Sequence, residues 1–561
     1  MNTPQRYVIV GGVAGGMSTA TRLRRNDEFA EITVLERGPY VSFANCGLPY
    51  HVGGVIAERD DLLLQTPESL RERFNIDVRV MTEATHIDRD SHIVTARNLA
   101  TGEEQRIHYD ALILAPGAAP FLPDIPGIER AMTMRSVPDV DAMNAALTDT
   151  PHSAVILGGG FIGLELAENL VERGLQVSIV ELADQILAPL DPEMAQPIAD
   201  HLRTQGVHLY LGSHTQRITP DTVELASGEQ LDADIVIAAI GVRPESTLAR
   251  DAGLKIGERG GIVVDDHQRT SDPSIYAVGD AAEKIDAIDA SPTLVPLAQT
   301  ANRHGRLVAD VVTGRSTASQ PVLGTAVVGV MGMTAATTGW NEKRLRAAGR
   351  AHRAIHTHPN DHASYYPGAE GMALKLLVDP ATDRILGAQG VGRSGVDKRI
   401  DVIATAMRGN LTASDLADLE LAYAPQYGSA KDPVNMLGFV NDNLANGILE
   451  SVQWHELEDR VSDGAIVLDV RDAAEIHHDG ALPTAINIPV DVLRERINEI
   501  PDQPVIVSCA VGVRANVAVR ILQHHGRHAV LLDGGFTTWA AGMKSRTQLA
   551  LPSAQQTPSL A

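Results

Sequence analysis

An apolar run at residues 7–10 stops in the glycine cluster Gly11, Gly12, Gly15 and Gly16, and residues 17–25 then carry apolar positions at helical spacing. This predicts a strand, a tight turn and a helix. A second β-rich run, residues 31–35, ends in Glu36, about 20 residues past the last glycine, as in a dinucleotide-binding βαβ unit. The same succession returns later. Residues 154–157 are apolar, Gly158, Gly160 and Gly163 fill a complete G-x-G-x-x-G, residues 164–173 read as helix, and residues 177–180 lead to Glu181. A lone fingerprint also fits simple tight packing of helix on strand, but two that end in acids predict two nucleotide folds. Unpaired amides at a helix N-terminus receive pyrophosphate, and the closing carboxylate accepts hydrogen bonds from a ribose. In the first unit Val13 occupies the middle glycine slot, so the closest backbone approach there is shared with Gly12. In the second, Glu181 repels a 2′-phosphate, which favours NADH and leaves NADPH possible.

Two more strand-ending turns complete the pattern: residues 111–114 run into Ala115-Pro116-Gly117, and 274–278 into Gly279-Asp280. With them, residues 1–446 resemble the FAD-dependent pyridine nucleotide-disulfide oxidoreductases. The resemblance implies a discontinuous FAD domain (1–150 and 246–321), an inserted NAD domain (151–245) and a dimerisation domain (322–446), and hence a homodimer. It assigns Gly11, Gly12, Ala14, Gly16, Glu36, Arg37, Ala115 and Gly117 to FAD, with Gly279 and Asp280 on the ribityl chain and a helix opening near Leu297 and Ala298 toward the flavin. Gly158, Gly160, Gly163 and Glu181 are assigned to NADH, and Gly241 to the turn that returns from the NAD domain.

After a linker at 447–454 the pattern changes. Residues 454–460 read as helix, 465–468 as a strand ending in Asp469-Val470-Arg471, and 504–508 as a strand ending at Cys509. The loop from Cys509 to Arg514 opens a helix over 516–524, and residues 529–532 run into Gly534-Gly535-Phe536. Residues 455–545 resemble a rhodanese domain, and the polar tail 546–561 is expected to fray. The expected class is therefore α/β: two Rossmann-like nucleotide-binding domains, an α+β dimerisation domain and a C-terminal rhodanese-like α/β domain.

Composition narrows the function. A chain of 561 residues needs several cores. Its net charge of −24 repels nucleic acid and anionic membranes. No apolar run reaches the roughly 20 residues of a membrane helix, and residues 1–6 lack the pattern of a signal peptide. The two cysteines cannot form a disulfide framework, which points to the cytoplasm. No metal site is expected.

Each cysteine falls in a run that suggests chemistry. Cys46 lies in Ser42-Phe-Ala-Asn-Cys-Gly-Leu-Pro-Tyr50, where the first nucleotide fold returns toward its ligand. With no second cysteine beside it, its oxidised partner must come from outside, as a mixed disulfide or a sulfenic acid. The run resembles coenzyme A disulfide reductases and, with the rhodanese unit, persulfide reductases, more than NADH oxidases or peroxidases. The peroxidase branch places a histidine where Ala14 stands. An oxidase that reduces oxygen, and a flavin redox sensor or scaffold, are the competing readings.

Coenzyme A phosphates need cations, and the first helix supplies Arg22, Arg24 and Arg25, which equally suit a solvated face. The resemblance places Ser18, Arg22, Arg25 and Lys431 on coenzyme A and sets Ser42 and Asn45 beside the reactive sulfur. It brings Tyr365 and Tyr423 in from a neighbouring subunit to protonate a departing thiolate; core packing is the alternative for either. Cys509 heads a loop whose amides stabilise a thiolate or a persulfide sulfur. By resemblance it carries sulfane sulfur, with Arg514 closing the loop or binding an anion.

Overall fold

The structure is a computed structural model that describes residues 4–149 and 151–549. It divides into two compact units, Met1–Ile179 with Thr215–Gly324, and Val180–His214 with Thr325–Ala561. The expected mixed α/β class holds throughout.

In the first unit the strand Arg6–Val10 is almost wholly buried, as its unbroken apolar run requires of a central parallel strand. It sits in a five-stranded parallel sheet between Glu31–Leu35 and Ala111–Leu114, with Asp77–Arg79 and Ile275–Ala277 at the edges. The first helix begins at Ala14, earlier than its apolar spacing predicts, because it opens directly on the glycine turn. The second nucleotide unit pairs Ser153–Leu157 with Ile235–Ala238 in parallel, and its helix spans Phe161–Glu172. A two-stranded antiparallel ribbon, Ala118–Pro120 with Val242–Pro244, joins the two. Gly241, which the resemblance assigns to the turn returning from the NAD domain, immediately precedes the second of these strands.

In the second unit a five-stranded antiparallel sheet, in the order Ala326–Val330, Met333–Gly339, Ile385–Gly392, Met372–Val378, Arg353–Thr357, is backed by the helices Val396–Arg408 and Pro433–Ala445. The rhodanese-like part is a five-stranded parallel sheet centred on Val505–Ser508. Its last helix runs Gly535–Leu549, so the expected start of fraying at residue 546 is still helical; residues 550–561 lie outside the described residues. The segment Val180–His214 belongs to this unit because its helix Pro192–Thr204 packs on Gly535–Leu549 and on Ile385–Gly392.

A buried charge cluster holds these parts together. Lys375, fully buried on Met372–Val378, places its ammonium 2.9 Å from Asp191 Oδ2 and 2.5 Å from both Glu193 Oε1 and Glu342 Oε2. His356, buried on Arg353–Thr357, reaches Asp533 Oδ2 through Nδ1 at 2.7 Å and Glu193 Oε1 through Nε2 at 3.1 Å. Burial alone would push this imidazole down, but the bond and charge of Asp533, with Glu193, outweigh burial and the nearby Lys375 and carry it up to about 9. The neighbouring His358 is pushed down to about 4 by burial and by the His356 charge, so it is neutral.

A histidine raised on folding stabilises the native state fully below its ordinary value near 6.5, and that stability fades as pH climbs through about 9. Thermal melts of the wild type should therefore fall steeply between about pH 7 and 9.5. The same window should be flatter for His356→Gln; parallel curves would show that His356 does not titrate there.

Candidate active site

The first glycine turn is built by close contacts. Gly11 has φ +102°, and a Cβ there would lie 2.1 Å from Ala115 O, so this turn and the Ala115-Pro116-Gly117 turn touch through bare backbone. Glu36 closes the next strand, and its carboxylate accepts from Gly12 N and Gly38 N, each at 2.7 Å. Arg37 beside it is exposed. At Gly117 (φ +74°) no atom lies within 4 Å of a Cβ position, and at Gly279 (φ +76°) only Ala301 Cβ approaches, at 3.6 Å. Close-packed glycines behind and open space in front are what a bound dinucleotide requires, so these residues fit FAD.

Lys284 braces the second turn, donating to Gly279 O at 2.5 Å and Ala282 O at 2.9 Å. Burial pushes its ammonium down to about 8, against the pull of Asp280. The helix Ala298–Val312, with Leu297 as its N-cap, begins where the sequence places it. The second fingerprint repeats the design. A Cβ on Gly163 would meet Gly158 O at 2.1 Å, whereas Gly160, the N-cap of Phe161–Glu172, faces open space. Glu181 accepts from Ala183 N at 2.8 Å.

Cys46 sits in the one-turn helix Asn45–Gly47, which leads into Leu48–Gly53 with Pro49 in the first turn. Ser42, with φ +48°, donates its N–H to Gly12 O at 2.8 Å, so the cysteine loop is fastened to the first glycine turn. Cys46 and Asn45 are exposed and Ser42 is half-buried. The sulfur is not walled inside hydrocarbon. Burial, then the charges of Glu165 and Asp280, push the Cys46 thiol up.

Glu165 is the functional candidate that sequence reasoning missed. It lies two residues past Gly163, on the nucleotide helix; Tyr50 OH donates to its Oε1 at 3.4 Å. Burial, helped by Glu168 and opposed by Tyr50, raises its carboxyl to about 7. Its charge therefore changes near neutrality beside the reactive sulfur. In a Cys509→Ser background, Glu165→Gln should speed iodoacetamide alkylation of Cys46 at about pH 8 by roughly threefold, by removing a carboxylate that disfavours the thiolate. An unchanged rate would remove Glu165 from the sulfur's environment.

The residues assigned to coenzyme A take up distinct environments. Arg22 makes a two-pronged pair with Asp310, at 2.8 and 3.2 Å. Ser18 Oγ bonds to Asn302 Oδ1, and Arg25 is exposed. Arg24 is a correction. It is buried and donates to Phe74 O, Glu28 O, Ala30 O and Asn75 O, closing the end of its own helix, so it cannot serve as a phosphate ligand. Tyr365 and Tyr423 are brought together: both are exposed, and their hydroxyls lie 2.8 Å apart. Neither ring packs into the core of its own chain, and the bond to Tyr365 raises the Tyr423 phenol. Lys431 is exposed, just before the buried Asp432 that pairs with Arg399 at 2.9 Å.

Cys509 directly follows the strand Val505–Ser508 and is buried. Gly512 N donates to its Sγ at 3.1 Å, and the helix Val513–His524 opens at once, as an amide-lined sulfur loop requires. Arg514 grips Glu475 with both prongs, at 2.7 and 2.6 Å, which draws that carboxyl down to about 2. Glu475 lies on the helix Ala473–Asp479, so the pair ties Arg514 to that helix.

Residues 5–305 match the pyridine nucleotide-disulphide oxidoreductase family, 325–432 its dimerisation domain, and 453–542 the rhodanese-like domain. The chain belongs to the pyridine nucleotide-disulphide oxidoreductase family and is a flavin-dependent enzyme that uses FAD and NAD(P)H, fused to a rhodanese-like domain. Among curated relatives, coenzyme A disulfide reductase of Staphylococcus aureus (strain JH9) is 34% identical over 440 residues, 77% of this chain and 99% of the relative. That of Staphylococcus haemolyticus is 34% identical over 437 residues, 78% and 99%. Among solved structures, the reduced Bacillus anthracis CoADR-RHD has a TM-score of 0.95 at 46% identity, covering 97% of this chain and 99% of that one. An NAD-dependent persulfide reductase from A. fulgidus has a TM-score of 0.90 at 38% identity, covering 95% and 100%. No helix among the described residues is long and apolar enough to cross a membrane.

Proposed function

We propose that this enzyme is a cytoplasmic homodimer that uses NADH to reduce coenzyme A disulfide, coenzyme A persulfide or polysulfide through Cys46, with Cys509 handling sulfane sulfur. The observation that carries this reading is the exposed, solitary Cys46, fastened to the FAD turn, in a chain whose other cysteine belongs to a rhodanese fold. FAD, when bound, supplies the two-electron link between NADH and sulfur.

Cys46 Sγ attacks one sulfur of coenzyme A disulfide. The Cys46–S bond to coenzyme A forms, the substrate S–S bond breaks, and one coenzyme A thiolate leaves. The electron pair from NADH then cleaves the mixed disulfide, restoring the Cys46 thiolate and freeing the second coenzyme A. Tyr365 and Tyr423, hydrogen-bonded to each other, are the proposed proton donors to the leaving thiolate, reaching the site of a neighbouring subunit. Ser18, Arg22, Arg25 and Lys431 are the proposed coenzyme A contacts, and Arg22 would exchange Asp310 for phosphate. Ser42 and Asn45 shape the sulfur's turn.

Anaerobic stopped-flow mixing of the NADH-reduced enzyme with coenzyme A disulfide, coenzyme A persulfide, polysulfide or, separately, oxygen tests the reading. Oxidation by a sulfur substrate should outpace oxidation by oxygen. Oxygen as the fastest oxidant would make the protein an oxidase, and absence of multiple turnover with every sulfur substrate would make it a sensor.

A further inference from the structure

The Cys509 loop is backed by a turn whose position is fixed from outside the rhodanese fold. Phe536 N donates to Cys509 O at 2.8 Å and Thr537 N to Ala510 O at 3.0 Å, so the first turn of the helix Gly535–Leu549 holds the backbone from which Sγ hangs. The two glycines before Phe536 are squeezed between neighbours. A Cβ on Gly535 (φ +63°) would lie 2.5 Å from Cys509 O, and one on Gly534 (φ +65°) would lie 2.8 Å from His356 Cβ. One side of this turn therefore touches the sulfur loop and the other touches the dimerisation sheet.

The attachment to that sheet is polar and buried. Asp533 accepts from His356 N at 3.1 Å, from His356 Nδ1 at 2.7 Å and from Gln453 Nε2 at 3.2 Å. His358 Nε2 meets Thr538 Oγ1 at 2.7 Å one helical turn further on. His356 is in turn gripped by Glu193, which Lys375 holds. Cooperative buried networks of this kind allow one arrangement rather than a range.

We propose that His356 and Asp533 are positioning residues for sulfur transfer at Cys509, so that the dimerisation domain sets the geometry of the rhodanese loop. This rests on the reading of Cys509 as the acceptor of sulfane sulfur. In that step the Cys509 thiolate attacks the terminal sulfur of an organic persulfide R–S–SH. The Cys509–S bond forms, the R–S–S bond breaks, and R–S⁻ leaves and takes the proton; no electrons are gained or lost overall. The aim of Gly512 N at Sγ, 3.1 Å away, depends on where the loop backbone lies, and a small misplacement of reacting groups is costly in rate.

The test uses the full-length holoenzyme and pantetheine persulfide, following sulfur uptake at Cys509 by mass spectrometry. His356→Leu and Asp533→Asn should each lower the limiting rate of loading by about tenfold, with the half-saturating donor concentration within about twofold of wild type. NADH-dependent reduction of coenzyme A disulfide should stay within about twofold, because neither His356 nor Asp533 is among the residues assigned to the Cys46 reaction, and their side chains bond to Glu193, Gln453 and each other. His356→Gln, which can still donate to Asp533, should recover part of the loss. Should His356→Leu not fold, Gln453→Leu removes a single donor to Asp533 and should give a smaller loss in the same direction. Loading unchanged in these variants, or a parallel fall of both activities, overturns the proposal while leaving Cys509 a sulfur carrier. Wild-type enzyme that takes up no sulfur at Cys509 overturns the carrier reading and the proposal together.

Discussion

Replacing Cys46 by serine is expected to lower NADH-dependent reduction of coenzyme A disulfide by more than about a thousandfold, because the step needs a nucleophilic thiolate and a hydroxyl cannot form the mixed disulfide. The fold should survive: the residue is exposed, and its turn is held by Ser42 N to Gly12 O and Gly47 N to Ala44 O rather than by the sulfur. Sulfur loading of Cys509 should persist in this variant. Cys509→Ser should do the converse, removing sulfur transfer and impairing only substrates that pass through the rhodanese loop. Steady-state NADH oxidation with each sulfur substrate checks both. Complete loss of every activity in Cys509→Ser would contradict this division of labour.

Lys375→Met should be the most damaging single change outside the site. It leaves Asp191, Glu193 and Glu342 buried around an empty centre, where Glu342 keeps Arg346 and His352, Glu193 keeps His356, and Asp191 keeps Gln389 and two backbone amides but no cation. Breaking a buried ion pair by removing one partner costs about 3–5 kcal/mol, and more than one carboxylate loses its cation here. Urea denaturation followed by tryptophan fluorescence, wild type against Lys375→Met, measures the loss. The probe is well placed, since Trp454 and Trp340 are buried in the second unit. A loss below about 1 kcal/mol would mean that the cluster relaxes or admits water.

The parts of the site that the sequence revealed are those written in local order. The glycine turns, the acids that close the strands, the helix after Leu297 and the Cys509 loop each depend on residues within a few positions of one another, and periodicity finds them. Arg24 was separable in principle, because helical spacing sets Arg22 and Arg25 on one face and turns Arg24 away from it; only the nearby carbonyls show that it is a buried cap. Glu165 was hidden by its motif. A carboxylate just past a glycine fingerprint reads as part of the nucleotide helix, and its approach to Tyr50 and Cys46 is made by packing between distant segments. The Lys375 cluster left still less trace. In Met-Ala-Leu-Lys-Leu-Leu-Val the lysine looks like the solvent side of a strand, whereas the sheet is covered on that side by the helix carrying Glu193.

The central claim is that Cys46 alone carries the exchange with a visiting thiol. The most direct test is peptide mass spectrometry of the enzyme after anaerobic incubation with coenzyme A disulfide, before and after NADH. Coenzyme A should be found joined to the Cys46 peptide and should be discharged by NADH. A Cys46 that remains unmodified while NADH is consumed at the full rate would contradict the account.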